Sequence, residues 1–140
     1  MRIKPIASAC LITLVAGCTQ NVIVVGNGQT PDARRAHYAA VAPHCSVTAE
    51  ERAKYSKPVP LLEAREPRPA KAKEEHVEGC AMVEFQLDNK GHPINLHVVK
   101  EWPTGYGFAD ATKNKLSKDT FEVPDDLHKW FSLTSTYLTI

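Results

Sequence analysis

The sequence predicts a small α+β domain, in which a β-hairpin is followed by a helix packed on one sheet face and by a further strand, with a short helical region before it. Three features lead to this prediction. Apolar and polar residues alternate over residues 81–87 and 94–99, as in strands that bury one face. One side of residues 108–119 is largely apolar at helical spacing. Residues 131–137 are rich in β-branched and aromatic side chains, which favours a strand.

The N-terminal region is predicted to form two short helices. Thr30 can cap the first helix, and Pro43 ends it. Pro31 begins this helix, because proline suits the first helical position. Thr48 and Glu51 have the spacing of a capping box, which predicts the start of the second.

The hairpin and the last strand complete the predicted sheet. Residues 88–91 form the turn, because Gly91 occupies the position that needs a positive φ. In the last strand Phe131, Leu133 and Tyr137 share one face. Such a core is thin, so a cross-link would help to stabilise the domain.

Composition and motifs exclude several classes of function. The 140 residues carry a formal net charge of +1, and no cluster of Lys and Arg indicates nucleic-acid binding. We find no nucleophile–histidine–acid set and no phosphate loop, so neither catalysis nor a cofactor is expected. Residues 57–73 contain four prolines among mixed charges, which predicts an extended linker.

The N-terminus has the pattern of an export signal. Arg2 and Lys4 precede a short apolar run, residues 6–17, which is too short to span a bilayer. Residues 15–18 resemble the bacterial lipobox, which implies cleavage before Cys18 and attachment of lipid to it. By analogy with bacterial lipoproteins, Thr19 after this cysteine implies sorting to the outer membrane, with the chain facing the periplasm. A plain signal peptide with a chance cysteine is the alternative.

The remaining cysteines predict a disulfide. Once the signal is removed and Cys18 carries lipid, Cys45 and Cys80 are a single pair in an oxidising compartment. Their bond would close a loop of about 35 residues, worth about 3–4 kcal/mol in the chain-entropy model. The alternative is a zinc site in which His44 and His76 join the two cysteines as thiolates. We favour the disulfide and predict no metal.

Residues 65–140 resemble the C-terminal domain of TonB-type energy transducers. Matches to the family pattern in residue type and order are Pro69, Ala72, Val77, Gly79, Phe85, Asp88, Gly91, Pro103, Gly105, Phe108 and Ala111. Together with the N-terminal export pattern, the resemblance predicts three parts: a signal peptide (1–17), a lipid-anchored segment with a linker (18–64) and a TonB-like domain (65–140).

Several departures from the family pattern bear on function. Arg68 stands where the family usually has tyrosine, and residues 121–124 match the family's helix-end motif only weakly. A transducer also needs a transmembrane helix and a long proline-rich spacer, and the chain expected after signal cleavage shows neither. The resemblance therefore implies a binding module on a lipid anchor rather than an energy transducer.

The family's binding mode is strand addition, in which a sheet edge pairs with an extended peptide of an outer-membrane receptor. The resemblance implies that the last strand is this edge. Its candidate residues are Phe131, Leu133, Ser135 and Tyr137. A homodimer paired through the same strand, and a structural envelope lipoprotein without any transport role, are the alternatives.

Overall fold

The computed structural model describes residues 30–139. The predicted signal peptide and the lipidation site Cys18 lie outside the described residues. In chain order the elements are α1 (Pro31–Val41), a 3₁₀ turn (Ala42–His44), α2 (Ala49–Arg52), β1 (Pro60–Leu62), α3 (Ala70–Glu74), β2 (Gly79–Leu87), β3 (Pro93–Trp102), α4 (Phe108–Leu116), β4 (Thr120–Phe121) and β5 (Phe131–Tyr137). The predicted α+β class is confirmed. Residues 36–139 form one unit, and residues 30–35 belong to a second.

Both predicted helix caps are present. The Ala33 N–H donates to Thr30 Oγ1 at 3.1 Å at the start of α1. At α2, Thr48 and Glu51 form the reciprocal capping box, with each side chain accepting from the other's backbone N–H. Such caps satisfy backbone donors that have no partner inside the helix. None of the helices in residues 30–139 is long and apolar enough to cross a membrane.

The main sheet is antiparallel with the order β3-β2-β5, so β2 is its central strand. The turn between β2 and β3 contains Gly91 at φ +81°, as the sequence predicts. A Cβ atom at this position would also overlap the carbonyl oxygen of Phe121. Gly91 is therefore required both for its backbone conformation and for the close approach of the chain after α4.

Each face of this sheet is covered by a different part of the chain. Helix α4 covers one face, where Phe108 and Leu116 are fully buried against the sheet. Residues 41–58, which we call the clip, cover the other face. The cluster on that side comprises Val41, Cys45, Cys80 and Met82, with Val47, Tyr55 and Leu138 packed against it. Cover on both faces buries β2 along most of its length, so the prediction that this strand buries only one face is wrong. Strand β3 does not bury one face either, because Ile94 and Val98 in it are exposed.

Residues 57–73 differ from the extended linker that the sequence predicts. Residues Pro60–Leu62 form β1, which pairs with β4 in a second, two-stranded sheet. Helix α3 follows directly after Pro69 and buries Ala72 completely in the core with Phe108. Proline is compatible with a helix N-terminus, and residues 70–74 contain none, so the local propensity permits the helix.

Candidate functional site

In the described part of the chain, residues 30–139, the edge strands of the main sheet are β3 and β5, and they differ in regularity. The pairing of β3 with β2 has two register shifts, and Asn95 in β3 has a φ of +54°. In contrast, β5 pairs with β2 without interruption from Gly79↔Tyr137 to Phe85↔Phe131. Bulges disrupt an edge as a template for further pairing, whereas a regular edge can accept another strand. The outer side of β5 is therefore the better candidate for a binding edge.

The orientation of the β5 backbone can be read from one hydrogen bond. The carbonyl of Trp130 accepts from the Ser56 N–H at 2.8 Å, on the side away from β2. Because successive residues of a strand point their backbone groups to opposite sides, Ser132, Thr134 and Thr136 present theirs to the same outer side. Within residues 30–139, no backbone group of another segment bonds to Thr134 or Thr136 from that side.

The chain itself closes one end of this edge. Ser56 forms an isolated parallel bridge with Phe131, next to its bond with Trp130. Two residues later Pro58 has no N–H to donate, so the pairing stops there. An added strand can therefore reach only the part of β5 that follows Phe131.

The four edge residues predicted from the sequence lie on the α4 side of the strand. Phe131 and Tyr137 are buried in the core, and Leu133 packs against the same core while half-buried. Ser135 is half-buried between them. The backbone groups of these residues point towards β2. The groups that point outward belong to the alternate residues, which the side-chain pattern does not single out.

A groove of about 550 Å³ lies beside the outer side of β5. We call it the β5 groove. Ser132 and Thr134 line it on the strand side. The other wall is formed by the clip and Tyr38, and includes Ala42, Ser46, Val47, Arg52 and Lys57. A groove with apolar and polar walls, beside backbone groups that no other segment of residues 30–139 pairs with, suits an extended peptide.

The clip is fixed to the sheet by the predicted disulfide. Cys45 and Cys80 are bonded, with Cα atoms 6.0 Å apart and both side chains fully buried. The Thr134 hydroxyl also donates to the Cys45 carbonyl at 3.2 Å, which connects the clip directly to β5. Since both sulfurs are in the bond, the alternative zinc site lacks its two thiolate ligands. Of the two histidines proposed for that site, His44 stacks on Trp102 with ring centroids 3.7 Å apart.

A carboxylate on β2 holds the far end of the clip. Glu84 accepts hydrogen bonds from Lys54 Nζ and from the Tyr55 hydroxyl, both at 2.7 Å. Burial by itself raises the pKa of Glu84, but the bonds from Lys54 and Tyr55 outweigh it and hold the pKa below its ordinary value of 4.5. The charged form of Glu84 therefore stabilises the docked clip.

We expect Glu84→Gln to lower the free energy of unfolding by about 1–2 kcal/mol at neutral pH, because hydrogen bonds to a charged acceptor are lost. A depressed pKa in the folded state contributes stability above the ordinary value, and this contribution disappears as pH falls through the folded pKa. The difference between the variant and the natural chain should therefore shrink below about pH 4.5. Urea unfolding between pH 7 and pH 3 measures it.

The matched control for this prediction is Glu63→Gln, which removes the same charge from an exposed side chain. This control should change the free energy of unfolding by less than about 0.5 kcal/mol at every pH. A constant difference between the Glu84 variant and the natural chain across this pH range would show that the carboxylate charge is not what holds the clip.

Comparison with solved structures finds chains of similar fold. No protein-family model matches the sequence, and no curated protein matches it. The solution NMR structure of the Pseudomonas aeruginosa TonB CTD is similar, with a TM-score of 0.48 and 20% sequence identity. The match covers 59% of this chain and 86% of that chain.

Proposed function

We propose that this chain is a non-catalytic binding module of the cell envelope, which captures an extended segment of another envelope protein by strand addition to β5. The observation that supports it best is the regular outer side of β5, where Thr134 and Thr136 have no backbone partner among residues 30–139 and Thr134 lines the β5 groove. The proposal includes a lipid anchor on Cys18, which holds the chain at the outer membrane so that the chain faces the periplasm. That part rests on the signal-like sequence before Cys18.

Strand addition explains how such a small surface can bind. Each backbone hydrogen bond contributes about 0.5–1.5 kcal/mol net, and the residues after Phe131 can form only a few. Binding by β5 alone is therefore weak, and contacts in the β5 groove must add to it. The proposed partner is an outer-membrane receptor or another envelope protein, bound without any energy-transducing helix of this chain.

The test is photocrosslinking in the envelope from a probe at Thr136, with Lys90 in the exposed hairpin turn as the control position. We expect the probe at Thr136 to capture an envelope protein and the probe at Lys90 to capture none. Thr134→Pro should abolish capture, because proline removes an outward N–H. Thr134→Ala should retain capture, because it removes only the hydroxyl.

Three results would contradict the proposal. Capture only of a second copy of the chain would instead indicate a homodimer through β5. No capture from Thr136 would favour a structural envelope protein. Equal capture by the Thr134→Pro and Thr134→Ala variants would show that backbone pairing at this edge does not hold the partner.

A further inference from the structure

The β5 groove carries positive charge that nothing in its lining balances. Arg52 and Lys57 line it, and no Asp or Glu does. In residues 30–139 neither of these two side chains forms an ion pair, whereas the neighbouring Lys54 is paired with Glu84 and Lys100 with Glu51. The formal net charge of the whole chain is only +1, so this excess is local. The groove therefore attracts negative charge on its occupant.

The two ends of the groove differ in chemistry. Lys57 directly follows Ser56, which is bridged to Phe131, so it marks a basic end near the start of β5. Further along, the Thr134 hydroxyl contacts the Cys45 carbonyl, and the adjoining clip residues Ala42 and Val47 provide an apolar wall. One end thus suits a carboxylate and the other suits an apolar side chain.

The bridge at Ser56 also fixes where an added strand must stop. A bound peptide cannot pass Ser56 without breaking its bond to Trp130. The peptide residue beside this stop is therefore always the one nearest Lys57. Because the stop is fixed, each peptide side chain meets a defined part of the groove wall. The two chemically different ends of the groove can therefore discriminate between peptide sequences.

We propose that the β5 groove selects an extended acidic peptide, with its carboxylate at the Phe131 end and an apolar side chain at the Thr134 end. This rests on the proposed strand addition and adds a ligand class to it. Arg52 and Lys57 select the charge, while the outer backbone of β5 supplies pairing that is independent of sequence. The clip therefore forms the wall of the groove that discriminates between peptides.

The experiment compares two end-capped hexapeptides of alternating threonine and valine, one ending in two glutamates and the other in two glutamines. Each is made in both sequence directions, because the edge accepts either. Titration of the ¹⁵N-labelled full-length chain should shift the amides of Thr134 and Thr136. Of the two sequence directions, we expect the one that binds better as the glutamate peptide to bind about three- to tenfold more tightly than its glutamine counterpart at low salt. This advantage should decrease as salt is raised.

The variant Arg52→Gln/Lys57→Gln should remove the preference for glutamate without weakening the glutamine peptide. The control Arg65→Gln/Lys90→Gln removes the same charge from exposed positions outside the groove, and it should keep the preference. Equal affinity for both peptides, with shifts at Thr134, would overturn the charge selection while strand addition stands. Binding of neither peptide would overturn both. A preference that survives in the groove variant would place the selecting charges elsewhere.

Discussion

Replacing both Cys45 and Cys80 with alanine is expected to lower the free energy of unfolding by about 3–4 kcal/mol. The bond joins residues 35 apart in sequence, and a loop of this size constrains the unfolded chain by about that amount in the chain-entropy model. Both side chains are fully buried, so their truncation to alanine also removes contacts in the cluster with Met82. Urea unfolding of the oxidised natural chain and the variant measures the loss.

The loss should be concentrated in the clip. Without the disulfide, the clip retains the bonds of Lys54 and Tyr55 to Glu84 and those of Lys100 to Glu51, which are partly exposed to water. Amide hydrogen exchange should therefore accelerate in residues 45–56, while β2 and α4 stay protected. A thiol reductant should reproduce this pattern in the natural chain and have no effect on the variant. Unchanged exchange in the clip would show that its other contacts suffice.

The variant without Cys45 and Cys80 also tests whether the clip is needed for peptide selection. The clip provides Arg52 and Lys57, whereas the outer backbone of β5 belongs to the sheet. Release of the clip should therefore remove the preference for glutamate peptides and leave residual pairing at Thr134. A variant that keeps the full preference would contradict the role of the clip as the selective wall.

The parts of the fold that the sequence predicts are those specified by local pattern. Alternation over 81–87 specifies β2, and the cap residues Thr30 and Thr48 specify where two helices begin, because these signals act over a few residues. The disulfide follows from counting the cysteines that would remain after the predicted signal is removed, and the structure contains it.

The parts that the sequence does not predict depend on distant contacts. Strand β1 has three exposed residues, too few to show a period, and it exists because it pairs with Thr120–Phe121. At β5, the side-chain pattern identifies the residues facing the core. Which backbone groups remain free depends instead on the side that β2 occupies, and only the assembled sheet determines that.

Asp119→Ala is expected to lower the free energy of unfolding by about 3–5 kcal/mol, because it breaks a buried ion pair. The Asp119 side chain is completely buried, and Lys115 Nζ lies 2.6 Å from its Oδ2. Its Oδ1 accepts from the Ala64 N–H at 2.6 Å, which ties the chain after β1 to the end of α4. The alanine variant leaves a mostly buried ammonium without a partner and a backbone donor without an acceptor. Thermal and urea unfolding measure the effect.

Two further variants separate these contributions. Asp119→Asn keeps an oxygen for the Ala64 N–H and loses only the charge, so it should cost less than the alanine variant. Lys115→Met keeps the apolar stem but leaves the carboxylate unpaired, so it should be destabilising by itself. Combined with Asp119→Asn, it removes both charges from the site. The double variant should therefore lower the free energy of unfolding by clearly less than the sum of the two single variants. Additive losses would mean that the two side chains are not coupled, and that Asp119 acts through its bond to Ala64 alone.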